Sequence, residues 1–405
     1  MATILYCGDV GCQTGFGRVA ENIIPALAKY HTVHALAVNW HGDPSPMQEH
    51  CKMYPAMAYG RDPFGSHRME ELVKKIKPDF IFINNDIWVA LTLVDAVEHL
   101  KDEIGYKTCV YCPIDSSGIY EELLPAIEKW DKIITYTKFG ENEIHAMGYK
   151  DKVEVVGHGT NFDDFFPMDR DLCRDHLGVP KDTFIVFNGN RNQPRKRIDL
   201  TIKGFVKFAK DKPDARLWLH MGKKDTGWEI VPLFRRVAKY EGYDSHNKLI
   251  ITPGFSVDNC LPIHILNYVY NAADVGVNTC LGEGWGLVNT EHAATETAQI
   301  VPDHSSLKEI FSSVERIRIE SYETDRNYGL ERGQPSPDHF AQLLNRYYED
   351  RDLLLEDGRR CYDAVHQKDK TWPYIQDQLL SIIDNLLKEP AQSTFKGFGT
   401  PARID

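Results

Sequence analysis

Asp274-Val275-Gly276-Val277-Asn278-Thr279-Cys280-Leu281-Gly282-Glu283-Gly284-Trp285-Gly286-Leu287-Val288-Asn289-Thr290-Glu291 reads as a strand, a glycine-rich loop and a helix. The strand is Asp274–Asn278. Gly284 and Gly286 let the chain turn sharply, and a helix begins near Gly286. The first N–H groups of a helix lack internal partners and carry partial positive charge, so they suit a phosphate. Glu283 lies in the loop, and Glu291 about two turns into the helix. Carboxylates so spaced can accept hydrogen bonds from hydroxyls at the two ends of a sugar nucleotide, with its diphosphate between them. The plainer reading of the same spacing is a helix cap and a solvated glutamate.

Upstream, Asn188-Gly189-Asn190-Arg191-Asn192-Gln193-Pro194-Arg195-Lys196-Arg197 has the same form. It follows an apolar strand, Thr183–Asn188. Arg191 and Lys196 lie five apart across a turn containing Pro194. A planar guanidinium fork and a compact ammonium together suit a diphosphate and could stabilise charge on a leaving nucleotide. Taken alone, the stretch is equally a solvated basic loop.

Further outward the chain repeats strand, loop and helix. Strands are expected at Ala2–Cys7, His34–Val38, Asp79–Asn84, Lys107–Cys112, Lys132–Thr137 and Val153–Val156. Helices are expected near Arg18–Lys29, Glu70–Ile76, Val89–Leu100 and Phe139–Met147. After residues 161–167 a second run has strands at Thr183–Asn188, Arg216–Met221, Leu249–Thr252, Asp274–Asn278 and Gln299–Val301. Helices near Ile198–Lys210, Ile230–Tyr240 and Ile263–Ala272 lie between them. Short apolar strands alternating with helices predict parallel sheets covered on both faces. The class is α/β, with two Rossmann-like domains facing a central cleft. The expected division is 1–160, 168–370, a helix at 371–388 packing back on the first domain, and a mobile tail at 389–405. Ligands of open parallel sheets bind outside the carboxyl ends of the strands, and both marked loops follow strands.

Composition narrows the function. The 47 Lys and Arg against 59 Asp and Glu give −12. That balance disfavours dependence on nucleic-acid phosphates but does not exclude a local basic groove. There is no long apolar run, so no stable membrane insertion is expected. The start has neither a basic leader nor a signal-like apolar core, and a cytoplasmic protein with free thiols is expected. Cys109 and Cys112 form a CxxC inside a strand, where alternation turns them to opposite faces. No second pair follows, so structural zinc is not expected.

Taken jointly, the two loops resemble the family 4 glycosyltransferases, retaining enzymes of the GT-B fold. That family has an Arg with a Lys five residues on, then a Glu, seven residues and a second Glu. Both patterns stand here as Arg191/Lys196 and Glu283/Glu291, in the right order and the right half. Residues 153–167, with Gly157-His158-Gly159-Thr160-Asn161, resemble the family's interdomain connection, and 131–140 resemble the segment before it. The likeness covers about residues 1–310. It implies that Arg191 and Lys196 bind the diphosphate and that Glu291 holds the ribose. Glu283 and the backbone of Gly284, Trp285, Gly286 and Leu287 would hold the transferred sugar and phosphate. Gly254-Phe255-Ser256 matches the place where the family contacts the base. Gly11–Arg18 resembles a glycine-rich loop that approaches the donor, with Gly15 and Gly17. It is not a clean dinucleotide fingerprint, and Ala35–Asn39 ends without the acid such a site needs.

Two positions depart from the family pattern. Where many members place a donor-contacting histidine, this chain has Ile114; Asp115 is the nearest polar candidate, with His158 at the connection as either a catalytic or a packed residue. Glu296 stands where a glycine usually ends the second-glutamate helix, so either that helix runs on or the backbone is strained. The implied activity is transfer of a sugar from a nucleotide-diphosphate donor, with no cofactor. Alternatives are a GT-B epimerase and a sugar-nucleotide-binding protein without turnover. The acceptor stays open among glycan, lipid, small molecule, protein and modified nucleic-acid base. No DxD stands beside the donor motifs, and Arg191, Lys196 and a helix N-terminus already supply positive charge. Transfer is therefore expected to survive EDTA; an activity abolished by EDTA and restored by Mg²⁺ or Mn²⁺ would contradict this layout.

Overall fold

The structure is a computed structural model that describes residues 1–58, 60, 62–119, 127–254, 260–325 and 329–389. The first sheet contains β1 (Thr3–Asp9), β2 (Thr32–Val38), β3 (Lys52–Pro55), β4 (Phe80–Asn84), β5 (Lys107–Cys112), β6 (Lys132–Thr135) and β7 (Val153–Val155). Its order is β3-β2-β1-β4-β5-β6-β7. The second contains β8 (Phe184–Asn188), β9 (Ala215–Leu219), β10 (Leu249–Ile251), β11 (Val275–Val277) and β12 (Ala298–Ile300), in the order β10-β9-β8-β11-β12. Its pairings are parallel. Each sheet is the doubly wound type that alternating apolar strands and helices predict. A hairpin of β13 (Ile319–Thr324) and β14 (Glu331–Pro335) stands apart from both.

Contacts divide the chain into two units. One contains residues 1–112, 122–134 and 376–405, and the other 113–121 and 135–375. In the first, β1, β4 and β5 are buried along their whole described lengths, save Thr3. The helix Gly15–Ala28 covers β1 and β2 with Val19, Ile23, Ile24 and Leu27. It starts three residues before the expected Arg18, because Thr14 caps it by accepting from the Gly17 N–H at 2.9 Å. A Cβ at Gly17 would lie 2.1 Å from the Cys12 carbonyl oxygen, so the turn tolerates only glycine there.

In the second unit Phe184, Val186, Phe205, Phe208, Leu217 and Phe340 form the centre of the core. The helix Pro337–Glu349 packs on the helix Ile198–Ala209 so closely that a Cβ at Gly204 would sit 2.2 Å from Phe340 Cδ1. Asp274 is a staple at the start of β11. It accepts from Ile185 N–H at 2.6 Å and pairs with Arg174 at 2.7 Å and Arg170 at 3.0 Å. Both arginines belong to the helix Arg170–Leu177, which sequence analysis did not predict and which also buries Cys173.

The structure corrects other expected bounds. The helix expected over Val89–Leu100 is Ile87–Asp95 followed by a short 3-10 turn, Glu98–Leu100. The strand expected to reach Thr137 stops at Thr135, since Thr137 caps the helix Lys138–Ala146 by accepting from Gly140 N–H. Edge strand β3, the hairpin and the helix Ser305–Ile310 were not legible; β13 is largely exposed, and β14 contains both Gly and Pro. Of the tail, residues 390–405 lie outside the described residues. Cys109 and Cys112 are buried thiols in β5. Among the described residues, no helix is long and apolar enough to cross a membrane.

The choice at Glu296 is resolved as strain. The helix Leu287–Ala293 stops, and Glu296 takes φ +57 before β12. Its carbonyl oxygen would lie 2.4 Å from a Cβ at Gly358, so the two segments meet at backbone distance. A side chain in this region costs about 1–2 kcal/mol, while glycine's unfolded-state freedom returns part of that. Glu296→Gly should therefore stabilise the protein by about 0.5–1 kcal/mol, read as a higher denaturation midpoint; an unchanged or lower midpoint would show that Glu296 makes a compensating contact.

Candidate active site

A doubly wound sheet opens at the point where its strand order reverses. In the second sheet that point lies between β8 and β11, and the two marked loops follow these two strands. The loops are joined by their backbones and by small polar side chains. Leu281 N–H donates to Arg195 O at 2.9 Å, and Thr279 Oγ1 donates to Arg197 O at 2.9 Å. Thr279 and Thr201 hydroxyls lie 2.6 Å apart, and Asn188 donates to Thr201 Oγ1. Arg197 adopts φ +47 where the first loop enters its helix.

This zipper puts Lys196 Nζ on Glu283 Oε1 in a close ion pair. Glu283 is 5% exposed, and it also accepts from Asn278 Nδ2 at 3.3 Å. Arg195 NH1 lies 3.4 Å from Glu283 Oε2 and 3.3 Å from Asp115 Oδ2, and it donates to Gly282 O. Arg332, carried by β14, reaches Asp115 Oδ1 at 3.3 Å and Asp325 at 3.6 Å. Three cations thus alternate with three carboxylates. Burial alone would push Glu283 up; Lys196 and Arg195 outweigh it and hold the carboxyl below its usual range. Asp115 behaves alike, with burial opposed by Arg195 and Arg332.

Arg191 goes elsewhere. Its Nε and NH2 clasp Asp225 at 2.7 and 3.2 Å, on a loop that Asn192 also binds through Trp228 and Gly222. The structure therefore pairs the two motif cations with different acids. Ile114 is 4% exposed and packs on Gly140, where a Cβ would come within 3.0 Å, so it is a core residue.

The Glu283–Gly286 turn is held from behind. Ser305 Oγ accepts from Glu283 N–H at 3.0 Å, and Ser306 Oγ donates to Trp285 O at 3.1 Å. A Cβ at Gly282 would fall 1.9 Å from Asp115 O, and one at Gly284 2.3 Å from Pro113 Cβ. Gly286 has φ +96 and precedes the helix Leu287–Ala293. Glu291 is its fifth residue, so it lies just over one turn in, not the expected two. It is 9% exposed and accepts from Tyr270 OH at 3.3 Å.

His158 is 3% exposed inside an aromatic box: Tyr136 at 4.0 Å, Trp285 at 5.6 Å and Trp372 at 6.0 Å between ring centroids. The Trp285 ring covers Gly157, where a Cβ would lie 2.5 Å from it. Gly254 has φ +68; Phe255 and Ser256 lie outside the described residues. Gly15 and Gly17 belong to the other unit, in the turn capped by Thr14, whose hydroxyl donates to Asp9. The sequence named neither Arg195 nor Arg332 as functional. Arg195 stood inside the quoted loop, whereas Arg332 is 217 residues from Asp115 and had no signal.

No protein-family model matches the chain. Among solved structures, sucrose-phosphate synthase from Thermosynechococcus elongatus superposes with a TM-score of 0.73 at 17% identity, covering 95% of this chain and 99% of that one. The chain has the GT-B fold. A second GT-B neighbour, HepE from Anabaena in complex with UDP and glucose, gives a TM-score of 0.67 at 14% identity, covering 95% of this chain and 100% of that one. Curated relatives in sequence are glycosyltransferases, as the family 4 resemblance implied. D-inositol 3-phosphate glycosyltransferase of Mycobacterium sp. strain KMS is 27% identical over 174 residues, 42% of this chain. Alpha-maltose-1-phosphate synthase of Mycolicibacterium smegmatis is 24% identical over 242 residues, 57% of this chain and 56% of that protein. The match spans 37% of the length of the inositol-phosphate enzyme.

Burial holds three imidazoles neutral: His158 and His292 are lowered to about 3 and His220 to about 4. Below the ordinary value of 6.5 the unfolded chain takes up protons that these folded sites refuse. Stability should therefore fall as pH drops from about 6.5 toward 4. Melting midpoints measured across that range check this, and a flat profile would contradict neutral burial.

Proposed function

We propose that this protein is a retaining glycosyltransferase that moves a hexose from a nucleoside-diphosphate donor to an acceptor hydroxyl. The observation that carries the reading is the buried Lys196–Glu283 pair at the carboxyl ends of β8 and β11. It lies in a GT-B chain whose curated relatives are glycosyltransferases. The solved structure of HepE contains UDP and glucose, so UDP-glucose is the first donor to try.

In this reading Lys196 turns toward the diphosphate and stabilises the charge that develops as the bond from the anomeric carbon to phosphate oxygen breaks. Arg191 is the second diphosphate ligand, using the part of its fork that Asp225 leaves. The acceptor oxygen bonds to the anomeric carbon on the face that the phosphate leaves, and its proton passes to the departing phosphate. No protein nucleophile is required. The chain supplies position and charge. Glu283, released from Lys196, accepts a hydroxyl of the transferred sugar, with the backbone of Gly284–Leu287 beside the phosphate and sugar. Glu291 accepts the ribose hydroxyls, and Gly254 lies at the base. The catalytic work falls to Lys196 and Glu283, because the charge that changes in the reaction is next to them. His158, enclosed by rings and held neutral, serves by packing the connection.

Three variants test the orientation of the donor. Lys196→Ala loses a contact that strengthens in the transition state, and kcat should fall roughly 10²-fold or more. Glu291→Ala removes a ribose contact worth about 1.5–3 kcal/mol in both ground and transition states, so it should mainly raise donor KM, on the order of 10- to 100-fold. Glu283→Ala should mainly lower kcat. Steady-state kinetics on folded variants read all three. The reversed pattern, with Glu291 governing kcat and Glu283 governing KM, would turn the donor around.

A further inference from the structure

We propose that Arg195 is a positioning residue of this site: it holds Glu283 and Asp115 ionised and side by side, so that Lys196 can leave Glu283 for the diphosphate. The inference rests on the glycosyltransferase reading and adds to it a residue that neither motif assigns.

The geometry is specific. A single nitrogen, Arg195 NH1, faces three oxygens: Gly282 O, Asp115 Oδ2 at 3.3 Å and Glu283 Oε2 at 3.4 Å. Its backbone is pinned too, since Arg195 O accepts from Leu281 N–H. Without this guanidinium, two largely buried carboxylates would share one neighbourhood. Glu283 is also faced by Lys196 and Asn278, and Asp115 by Arg332 and Ser116. Arg332 is in turn shared with Asp325. His304, at the start of the helix Ser305–Ile310, is within electrostatic range of Asp115 and Arg332. Among the described residues Arg332 pairs with Asp115 and Asp325 and not with Glu283. The two cations on Glu283, among the described residues, are Lys196 and Arg195.

When a diphosphate takes Lys196, Glu283 would otherwise be a buried charge with no cation, and it would take up a proton. A protonated Glu283 would no longer be the acceptor that the sugar hydroxyl needs. Arg195 prevents this by staying behind. Its Gly282 and Asp115 contacts also fix the loop, because a Cβ at Gly282 would already overlap the Asp115 carbonyl.

The test uses the full chain with Arg195→Met, which keeps an unbranched apolar side chain, and Arg195→Lys, which keeps a charge. With UDP-glucose as the probe donor, Arg195→Met should lower kcat by about 10-fold or more with little change in donor KM. The acidic limb of its kcat profile should move up by about one pH unit or more. Arg195→Lys should return most of that shift. Melting provides a readout independent of turnover. The carboxyls are depressed in the wild type, so their stabilisation is present at neutral pH and is lost as acid protonates them. The melting deficit of Arg195→Met relative to wild type should therefore shrink from pH 7.5 to pH 4.5. Adding Glu283→Gln should flatten it. An active wild type beside an Arg195→Met with an unmoved pH profile, or with a deficit equal at every pH, overturns the positioning role and leaves the glycosyltransferase reading intact. A wild type that turns over no nucleotide sugar, and whose melting no nucleoside diphosphate raises, overturns both.

Discussion

Glu283 is a carboxylate with almost no water around it, and the loops at the carboxyl end of the second sheet are arranged so that it stays charged. A buried ion is tolerated only with cations and hydrogen bonds close at hand. Here these come from two segments: Lys196 and Arg195 from the loop after β8, and Asn278 from the end of β11. Ser305 secures the peptide that carries Glu283. Asp115 extends the same alternation of charge to Arg332 on the hairpin. Such a chain of charges is strong while complete and costly once a member is removed. In the proposed reaction it would let the site accept a diphosphate without losing its own acids.

The backbone accepts tight restrictions to build this arrangement. Gly282 and Gly284 are positions where the chain passes within contact distance of Asp115 and Pro113. Gly286 and Arg197 take left-handed conformations at the two helix entries. Arg197 does so with a full side chain, held by Asp199 at 2.9 Å and by Gln334 at 2.9 Å. Glu296 does so in an exposed position at the end of the Glu291 helix. The Arg197 strain is offset by bonds to its guanidinium, whereas at Glu296 the close approach of Gly358 fixes the turn.

Ile114 and Asp115 are adjacent in sequence but enter different surroundings. Ile114 turns into the core against Gly140, and Asp115 takes the polar place beside Arg195. Two guanidiniums balance the charge of that carboxylate. The hairpin that carries Arg332 also bridges Glu331 to Ser117, so the Asp115 segment is fixed on both sides of its turn.

The sequence by itself determined what depends on local spacing. Strand-loop-helix alternation, the burial of β8 and β11, and the places of Lys196, Glu283 and Glu291 all follow from periodicity and from glycines at turns. Glu291 was misjudged only in depth: the helix starts just after Gly286, as expected, and five residues at about 3.6 per turn carry the chain just over one turn. Only the tertiary structure decided the partners. Lys196 meets Glu283 across 87 residues because β8 and β11 are neighbours where the strand order reverses. Arg191 meets Asp225 and not its motif partner, because Asn192 draws its loop onto residues 222–228. Arg332 meets Asp115 from β14, a largely buried strand without an apolar period that is paired to the exposed strand β13. Charge pairing over such separations is a property of folded distance. A linear chain shows which charges exist, and the fold decides which of them neutralise one another.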